Sequence, residues 1–138
     1  MEGFVRIHNW WNNFGIIVMM RHIIDLIEAY SNSYYHVTER SALADILSNG
    51  FLGGYGDAGF GVYFYDNLYD AIEYSRKGGW DGNLHDPVII LVSDRSIEKV
   101  PIDPSWDITE YENMYWHPMD DDDDENAWLP KNMRIISV

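Results

Sequence analysis

The residue types in this chain that could do chemistry occur as an ordered series spread over most of its length. In chain order, the series is His36-Val37-Thr38, then Gly59-Phe60-Gly61-Val62-Tyr63-Phe64, then Tyr74, which follows Tyr63 by eleven residues, and then Glu125. Histidine and glutamate can hold hydroxyl groups or stabilise positive charge, and tyrosine rings offer flat faces to planar or cationic groups. Taken singly, these residues have plainer interpretations as a strand histidine, core aromatic residues and a surface acid. The order of the series is therefore what points to a site.

Several widespread catalytic and metal-binding signatures are missing from the sequence. It contains neither the G-x-S-x-G turn of serine hydrolases nor the G-x-x-x-x-G-K-[ST] loop that binds phosphates. No two histidines flank a glutamate with the spacing of a zinc helix, and the aspartate run lacks the alternating ligands and central glycine of a calcium loop. Because the chain has no cysteine, a thiolate zinc site and a cysteine nucleophile are excluded. We therefore expect no metal cofactor.

The ordered series resembles the catalytic domain of the diphtheria-toxin-like, or H-Y-E, ADP-ribosyltransferases, which include the poly(ADP-ribose) polymerases. That family carries H-G-[ST] on its first strand, G-x-G-[IV]-Y-F on a later strand, a second Tyr at the spacing found here, and a Glu that begins a late strand. The matching residues in this sequence are His36, Tyr63, Tyr74 and Glu125. The resemblance implies an α+β fold with a split antiparallel β-sheet, and NAD as co-substrate.

The resemblance also implies roles for the acid and for the first strand. Glu125 would hold the 2′-hydroxyl of the nicotinamide ribose and stabilise an oxocarbenium-like transition state, much as carboxylates do in glycoside cleavage. His36 would bind the ribose on the adenosine side, with Thr38 assisting nearby. Glu125, His36 and Tyr63 are thus the expected catalytic residues.

The nicotinamide end of NAD is expected to meet backbone and aromatic rings. The main chain of Val37 would face the carboxamide, and Tyr63 and Tyr74 would sandwich the flat, cationic ring. Where the polymerases carry a Ser that hydrogen-bonds the carboxamide, this chain has Ala71, so one donor is missing. The basic residues that could meet the NAD pyrophosphate are Arg40, which we take as the first candidate, Arg76 and Lys77.

The chain is strongly acidic, with 9 Lys and Arg against 23 Asp and Glu and a formal net charge of −14. This charge opposes unaided binding to nucleic acid or to an anionic membrane and favours a basic protein as partner. The acids are densest in a run that ends beside Glu125 and could itself bind a partner: Asp120, Asp121, Asp122, Asp123 and Asp124. These like charges oppose ionisation of Glu125 and repel a dianionic ligand.

Two functions from different classes remain open. The first is an NAD-dependent mono-ADP-ribosyltransferase that modifies a protein acceptor, as a bacterial toxin or effector or a phage factor directed against its host. The second is a non-catalytic acidic inhibitor that imitates nucleic acid and blocks a basic groove of a partner protein. Either would work in the cytoplasm of its own cell or of a host cell.

The elements that must position these residues begin with a helix. Apolar residues recur at helical spacing at Ile16, Met20, Ile23, Ile24 and Ile27. We interpret residues 1–31 as an N-terminal segment whose helix, over residues 13–30, packs on a single globular domain formed by residues 32–138. Arg21 and His22 interrupt the apolar run, so neither a secretion signal nor a membrane span is expected.

Short strands and helices alternate through the rest of the chain. The expected strands are Tyr34–Val37, Val62–Tyr65, the unbroken apolar run Pro87–Val92, and one or two closing strands within 125–138, the last opened by Glu125. Thr38 and Asp66 are candidate helix caps, and Gly50 is a candidate helix end. The glycines between residues 53 and 61 predict a flexible loop.

Overall fold

The computed structural model of the chain describes residues 15–24, 33–106, 113–121 and 126–136. These residues form three α-helices, which are residues 15–24 (α1), Leu43–Asn49 (α2) and Leu68–Arg76 (α3), and a 3-10 turn at Arg40–Ala42. They also form seven strands, which are Ser33–Glu39 (β1), Gly54–Gly56 (β2), Gly59–Tyr65 (β3), Pro87–Ser93 (β4), Glu98–Lys99 (β5), Met114–Pro118 (β6) and Asn132–Ile136 (β7).

The strands join in one antiparallel sheet with the order β5-β6-β3-β1-β4-β7, and β2 pairs with the beginning of β3. This confirms the predicted α+β class with an antiparallel sheet. The apolar run of β4 lies between β1 and β7, so both of its edges are paired, and five of its seven residues are buried. The predicted central strand is therefore confirmed.

On the side of β3 opposite β6, both β2 and β1 pair with β3, and a gap separates these two strands. β2 pairs with residues 59–61 at one end of β3, and β1 is in register with β3 only at Tyr35 and Tyr65, at the other end. By contrast, β1 pairs with β4 along its whole length. The sheet is thus open between β1 and the middle of β3.

The hydrophobic core lies on one face of the sheet, under α2 and the segment around Trp128. Its buried members are Ile46, Phe51, Val62, Phe64, Ile90, Val92 and Ile97. Phe51 and Trp128 join their backbones through two hydrogen bonds, of 2.7 and 2.9 Å, which hold the segment before β7 against the sheet. On the opposite face, α3 packs on β1, β3 and β4 through the fully buried Ala71.

The helix boundaries follow local chemistry that the sequence only partly revealed. Gly50 ends α2 with φ of +96°, as predicted, and a Cβ there would lie 2.4 Å from the Trp128 carbonyl oxygen. Thr38 lies inside β1 and caps no helix. The cap of α3 is Asn67 instead of Asp66, because the Asn67 side chain accepts a 2.9 Å hydrogen bond from the amide of Asp70.

Two further expectations need correction. Most of the glycine-rich segment is a β-hairpin formed by β2 and β3, because strand pairing from Gly54 to Gly61 orders it. The last strand begins at Asn132, and Asn126 and Ala127 lie outside any strand, so Glu125 does not open it.

Helix α1 exposes its apolar side chains. Its seven large apolar residues are 44–68% exposed, so no buried face exists in these ten residues. This differs from the predicted packing of the helix on the domain; the other residues of the predicted helix, 13–14 and 25–30, lie outside the described residues. Among the described residues, no helix combines the length and hydropathy needed to cross a lipid bilayer.

Candidate functional site

Two adjoining cavities lie on the α3 face of the sheet. The larger has a volume of about 650 Å³ and the smaller about 350 Å³. Tyr74, Gly79 and Trp80 line both, so we treat the two cavities as one feature, the aromatic cleft. The side chains that give the aromatic cleft its chemistry are Val37, Tyr55, Asp57, Tyr63, Tyr65, Tyr74, Lys77, Trp80 and Asp81.

Tyr63 presents its ring to the aromatic cleft while its hydroxyl is already engaged. The hydroxyl donates a 2.7 Å hydrogen bond to the carbonyl of Gly59, four residues earlier on the same strand. Gly56 lies under the ring, because a Cβ at that position would be 2.5 Å from Tyr63 Cζ. Burial raises the pKa of Tyr63, so the phenol stays neutral. The part of the ring that lines the larger cavity is what remains for a ligand.

Tyr65 and Tyr74 extend the aromatic wall. Their ring centroids are 5.6 Å apart, with the planes tilted by 52°. Burial raises the pKa of Tyr65 to about 12, so it carries no charge near neutral pH. The amide of Gly79 donates a 3.0 Å hydrogen bond to the carbonyl of Tyr74, which draws the loop after α3 against this ring. The wall therefore consists of two rings tilted towards each other, and the backbone of the loop after α3 is fixed at its base.

Lys77 is the basic side chain among the residues that line the aromatic cleft. Arg40, the cation predicted to bind the cofactor, does not line it; the Arg40 guanidinium pairs with Asp86 at 3.3 Å in an exposed position. Arg76 pairs with Glu73 at 3.4 Å. An anionic group in the aromatic cleft would therefore meet Lys77 first.

His36 lies on the core face of the sheet. Its ring is partly buried and meets Phe51 and Phe64 edge to face, at centroid distances of 4.8 and 5.5 Å. Its Nδ1 lies 2.7 Å from the carbonyl oxygen of Tyr63. A carbonyl oxygen only accepts, so Nδ1 carries the proton. Burial lowers the pKa of His36, an effect that the hydrogen bond opposes, and the ring is neutral near pH 7.

The gap in the sheet explains this hydrogen bond. The Met119 amide donates to the carbonyl of Phe60, and the Asp66 amide donates to the carbonyl of Asn113. The backbone groups of the even-numbered residues of β3 therefore face β6. The backbone groups of Tyr63 consequently point to the opposite edge, where β1 has separated from β3. There the His36 side chain donates to the Tyr63 carbonyl, in place of the backbone amide that a paired β1 would have supplied.

The predicted site residues thus divide between the two faces. Val37, Tyr63 and Tyr74, from three different elements, line the aromatic cleft. Thr38 alternates with Val37 along β1 and so shares the face of His36. His36 reaches the aromatic cleft only through the backbone of Tyr63.

The acidic run begins at the rim of the aromatic cleft. Asp120 and Asp121 are exposed, and the Tyr55 hydroxyl donates a 2.6 Å hydrogen bond to Asp121 Oδ2. Since Tyr55 lines the larger cavity, this bond connects the β2–β3 hairpin to the run. The predicted residues Asp122, Asp123, Asp124 and Glu125 lie outside the described residues.

Tyr55, Tyr65 and Trp80 belong to the aromatic cleft and were not predicted. Tyr65 could have been found, because it lies two residues after Tyr63 and therefore on the same face of the strand. Trp80 had a weaker signal, a large apolar residue isolated in the polar segment Lys77–Asp86. The position of Tyr55 depends on the hairpin, which the glycine content obscured.

A Ser-His-Asp group lies elsewhere and lacks the geometry of a nucleophile. The Ser96 hydroxyl donates to Asp94 at 2.7 Å, so it accepts from His117 Nδ1, which is also 2.7 Å away. The His117 ring is stacked on Trp128, with centroids 3.8 Å apart and an interplanar angle of 8°. The serine proton is directed to Asp94 and not to the histidine, so the group lacks the arrangement of a catalytic triad and links the turn after β4 to β6.

Within the described ranges, no group of three or more His, Asp or Glu residues is placed to hold a metal ion. No protein-family model, curated protein or solved structure matches this chain.

Proposed function

We propose that this protein binds NAD in the aromatic cleft and transfers ADP-ribose to a protein acceptor. The observation that carries the proposal is that Val37, Tyr63 and Tyr74, on β1, β3 and α3, line two adjoining cavities: Val37 lines the smaller cavity, Tyr63 the larger and Tyr74 both. These are the three positions that the transferase pattern assigns to the nicotinamide end of NAD.

The sheet supports the finer fold assignment within this proposal. An ADP-ribosyltransferase-like core is a split antiparallel sheet, and here β1 separates from β3 after a single register pair. The separation lies beside Tyr63, where the co-substrate would bind.

The residues of the aromatic cleft suit the parts of NAD. The Tyr63 and Tyr74 rings can each contact a flat cationic ring, because the face of an aromatic ring attracts a cation. Lys77 can meet the pyrophosphate as a point charge. Val37 narrows the smaller cavity compared with the glycine of the family pattern, while its backbone can still face a carboxamide.

His36 acts in this proposal as a positioning residue. Its Nδ1 proton fixes the Tyr63 carbonyl, and with it the orientation of the Tyr63 ring. NAD supplies an ADP-ribose group, whose ribose C1′ bonds to the acceptor's nucleophilic atom while nicotinamide leaves with the old bonding pair and the acceptor loses a proton. By the resemblance, Glu125 is the carboxylate that stabilises the positive charge formed on the ribose.

Isothermal titration with NAD tests the binding step. We expect the wild-type chain to bind NAD and Tyr74→Ala to weaken binding at least tenfold, because base stacking on an aromatic ring is worth roughly 1–3 kcal/mol. Tyr69→Ala is the matched control, since Tyr69 lies on the same helix, is exposed and lines neither cavity. Absence of NAD binding by the wild type would contradict the proposal.

Transfer is tested separately, with labelled NAD and a cell extract. We expect the wild type to label an extract protein and Glu125→Gln to lose at least a hundredfold in rate, because the amide cannot balance the positive charge. NAD binding by Glu125→Gln should persist. Full transfer by this variant would remove Glu125 from the mechanism.

A further inference from the structure

The apolar indole ring of Trp80 is exposed to solvent. It is 80% exposed, yet it lines both cavities of the aromatic cleft, where Tyr74 is its neighbour. Other large rings of the chain, such as Phe51 and Phe64, are buried in the core. An exposed indole beside a cavity offers a large contact area that a flat ligand can cover.

The segment that carries Trp80 has its backbone engaged on both sides of the ring. Gly78 and Gly79 both adopt φ of +77°, which L-residues avoid, and their amides donate to Ser75 and Tyr74 at the end of α3. After Trp80, the Leu84 amide donates a 2.9 Å hydrogen bond to the Gly78 carbonyl.

Close packing further restricts this loop. A Cβ on Gly79 would lie 3.3 Å from Leu84 and 3.6 Å from the Tyr74 hydroxyl. A side chain at Gly79 would therefore crowd Leu84, and the loop passes close to the Tyr74 hydroxyl. The Asp81 carboxylate accepts from the amide and the side chain of Asn83, at 3.1 and 2.9 Å, which closes the turn just after the indole.

We propose that Trp80 is a binding residue that stacks on the flat ring of the ligand bound against Tyr74, where it takes the outer place that the family pattern gives to Tyr63, which lines only the larger cavity. The proposal rests on the proposed NAD site and adds to it an aromatic contact from the loop after α3. A platform whose backbone is already ordered loses little conformational entropy when it binds, so its contact contributes directly to affinity.

The test measures NAD affinity and tryptophan fluorescence in three variants. Trp80→Ala is expected to weaken NAD binding about tenfold or more, Trp80→Phe by less than about threefold, and Tyr69→Ala not at all, following the strength of base–aromatic stacking. NAD should quench part of the wild-type tryptophan fluorescence. Trp80→Phe should bind NAD and lose that quenching, which a purely structural role would not produce.

The outcomes separate this inference from the function on which it rests. Wild-type affinity in Trp80→Ala, or full quenching in Trp80→Phe, overturns the role of Trp80 and leaves the NAD site standing. A wild-type chain that does not bind NAD overturns both. Because the ring is 80% exposed, the melting temperature of Trp80→Ala should match that of the wild type, so that lost binding is not confused with unfolding.

Discussion

On the core face of the sheet, the rings of Phe51 and Phe64 are at most 2% exposed and meet each other and His36 edge to face, whereas on the cleft face Tyr65 and Tyr74 border open cavities. Both faces carry several aromatic residues, and β3 contributes to each by simple alternation. Composition therefore does not distinguish a core from a site. What distinguishes them is whether neighbouring side chains fill the space around the rings.

The largest expected effect is a difference in the free energy of unfolding between a substitution on the core face and one on the cleft face. Phe64→Ala should lower the free energy of unfolding by about 3–5 kcal/mol, because it leaves a cavity in a closely packed core. Tyr74→Ala should cost clearly less, since its ring already borders empty space, while it abolishes most NAD binding. Urea unfolding followed by circular dichroism measures both. Equal losses of stability would mean that Tyr74 is a core residue and that the contrast is false.

The next effect concerns the contact that joins the faces. His36→Ala removes the donor to the Tyr63 carbonyl and should lower the free energy of unfolding by about 1–3 kcal/mol. It should also weaken NAD binding, although His36 lines neither cavity. His85→Gln is the control, because the His85 side chain is exposed, and it should change stability by less than about 0.5 kcal/mol. If His36→Ala leaves NAD affinity unaltered, the coupling through Tyr63 is absent.

A pH dependence follows from the same histidine and from His117. Burial lowers the pKa of both in the folded chain, so below pH about 6.5 the unfolded chain takes up protons that the folded chain does not. The free energy of unfolding should then fall as the pH is lowered from 6.5 towards the folded-state pKa values. Urea unfolding between about pH 7.5 and 5 tests this. His36→Gln and His117→Gln should each flatten the slope, and an unchanged slope in both would contradict the assignment.

The smallest effect on stability is expected at the acidic run. Replacing Asp120 to Asp124 together by Asn should change the free energy of unfolding by no more than about 1 kcal/mol, since Asp120 and Asp121 are exposed. For a transferase, NAD affinity should hold or rise as repulsion is removed. For an acidic inhibitor, capture of a basic partner should be lost. NAD-dependent labelling by the Asn variant would count against the inhibitor.

The sequence was informative where the controlling physics is local. The apolar run of β4 and the turn at Gly50 depend on near neighbours and were predicted in type and place, and the strand predicted at Val62–Tyr65 forms the second part of β3. That Tyr63 and Tyr74 line the same cavity agrees with what the family resemblance implies. His36 shows the limit, because its orientation depends on β1 separating from β3, which no spacing within either strand encodes. Trp80 likewise becomes noticeable only when its exposure is known.

The gap beside Tyr63 has a consequence for amide hydrogen exchange. The Tyr63 amide points to the open edge, where neither β1 nor β2 pairs with it, while Val62 and Phe64 turn theirs towards β6. Exchange along β3 should therefore alternate, with one rapidly exchanging proton between two protected ones in the middle of the sheet. A ligand seated on the Tyr63 ring would shield that proton, which makes a single backbone amide a reporter of occupancy.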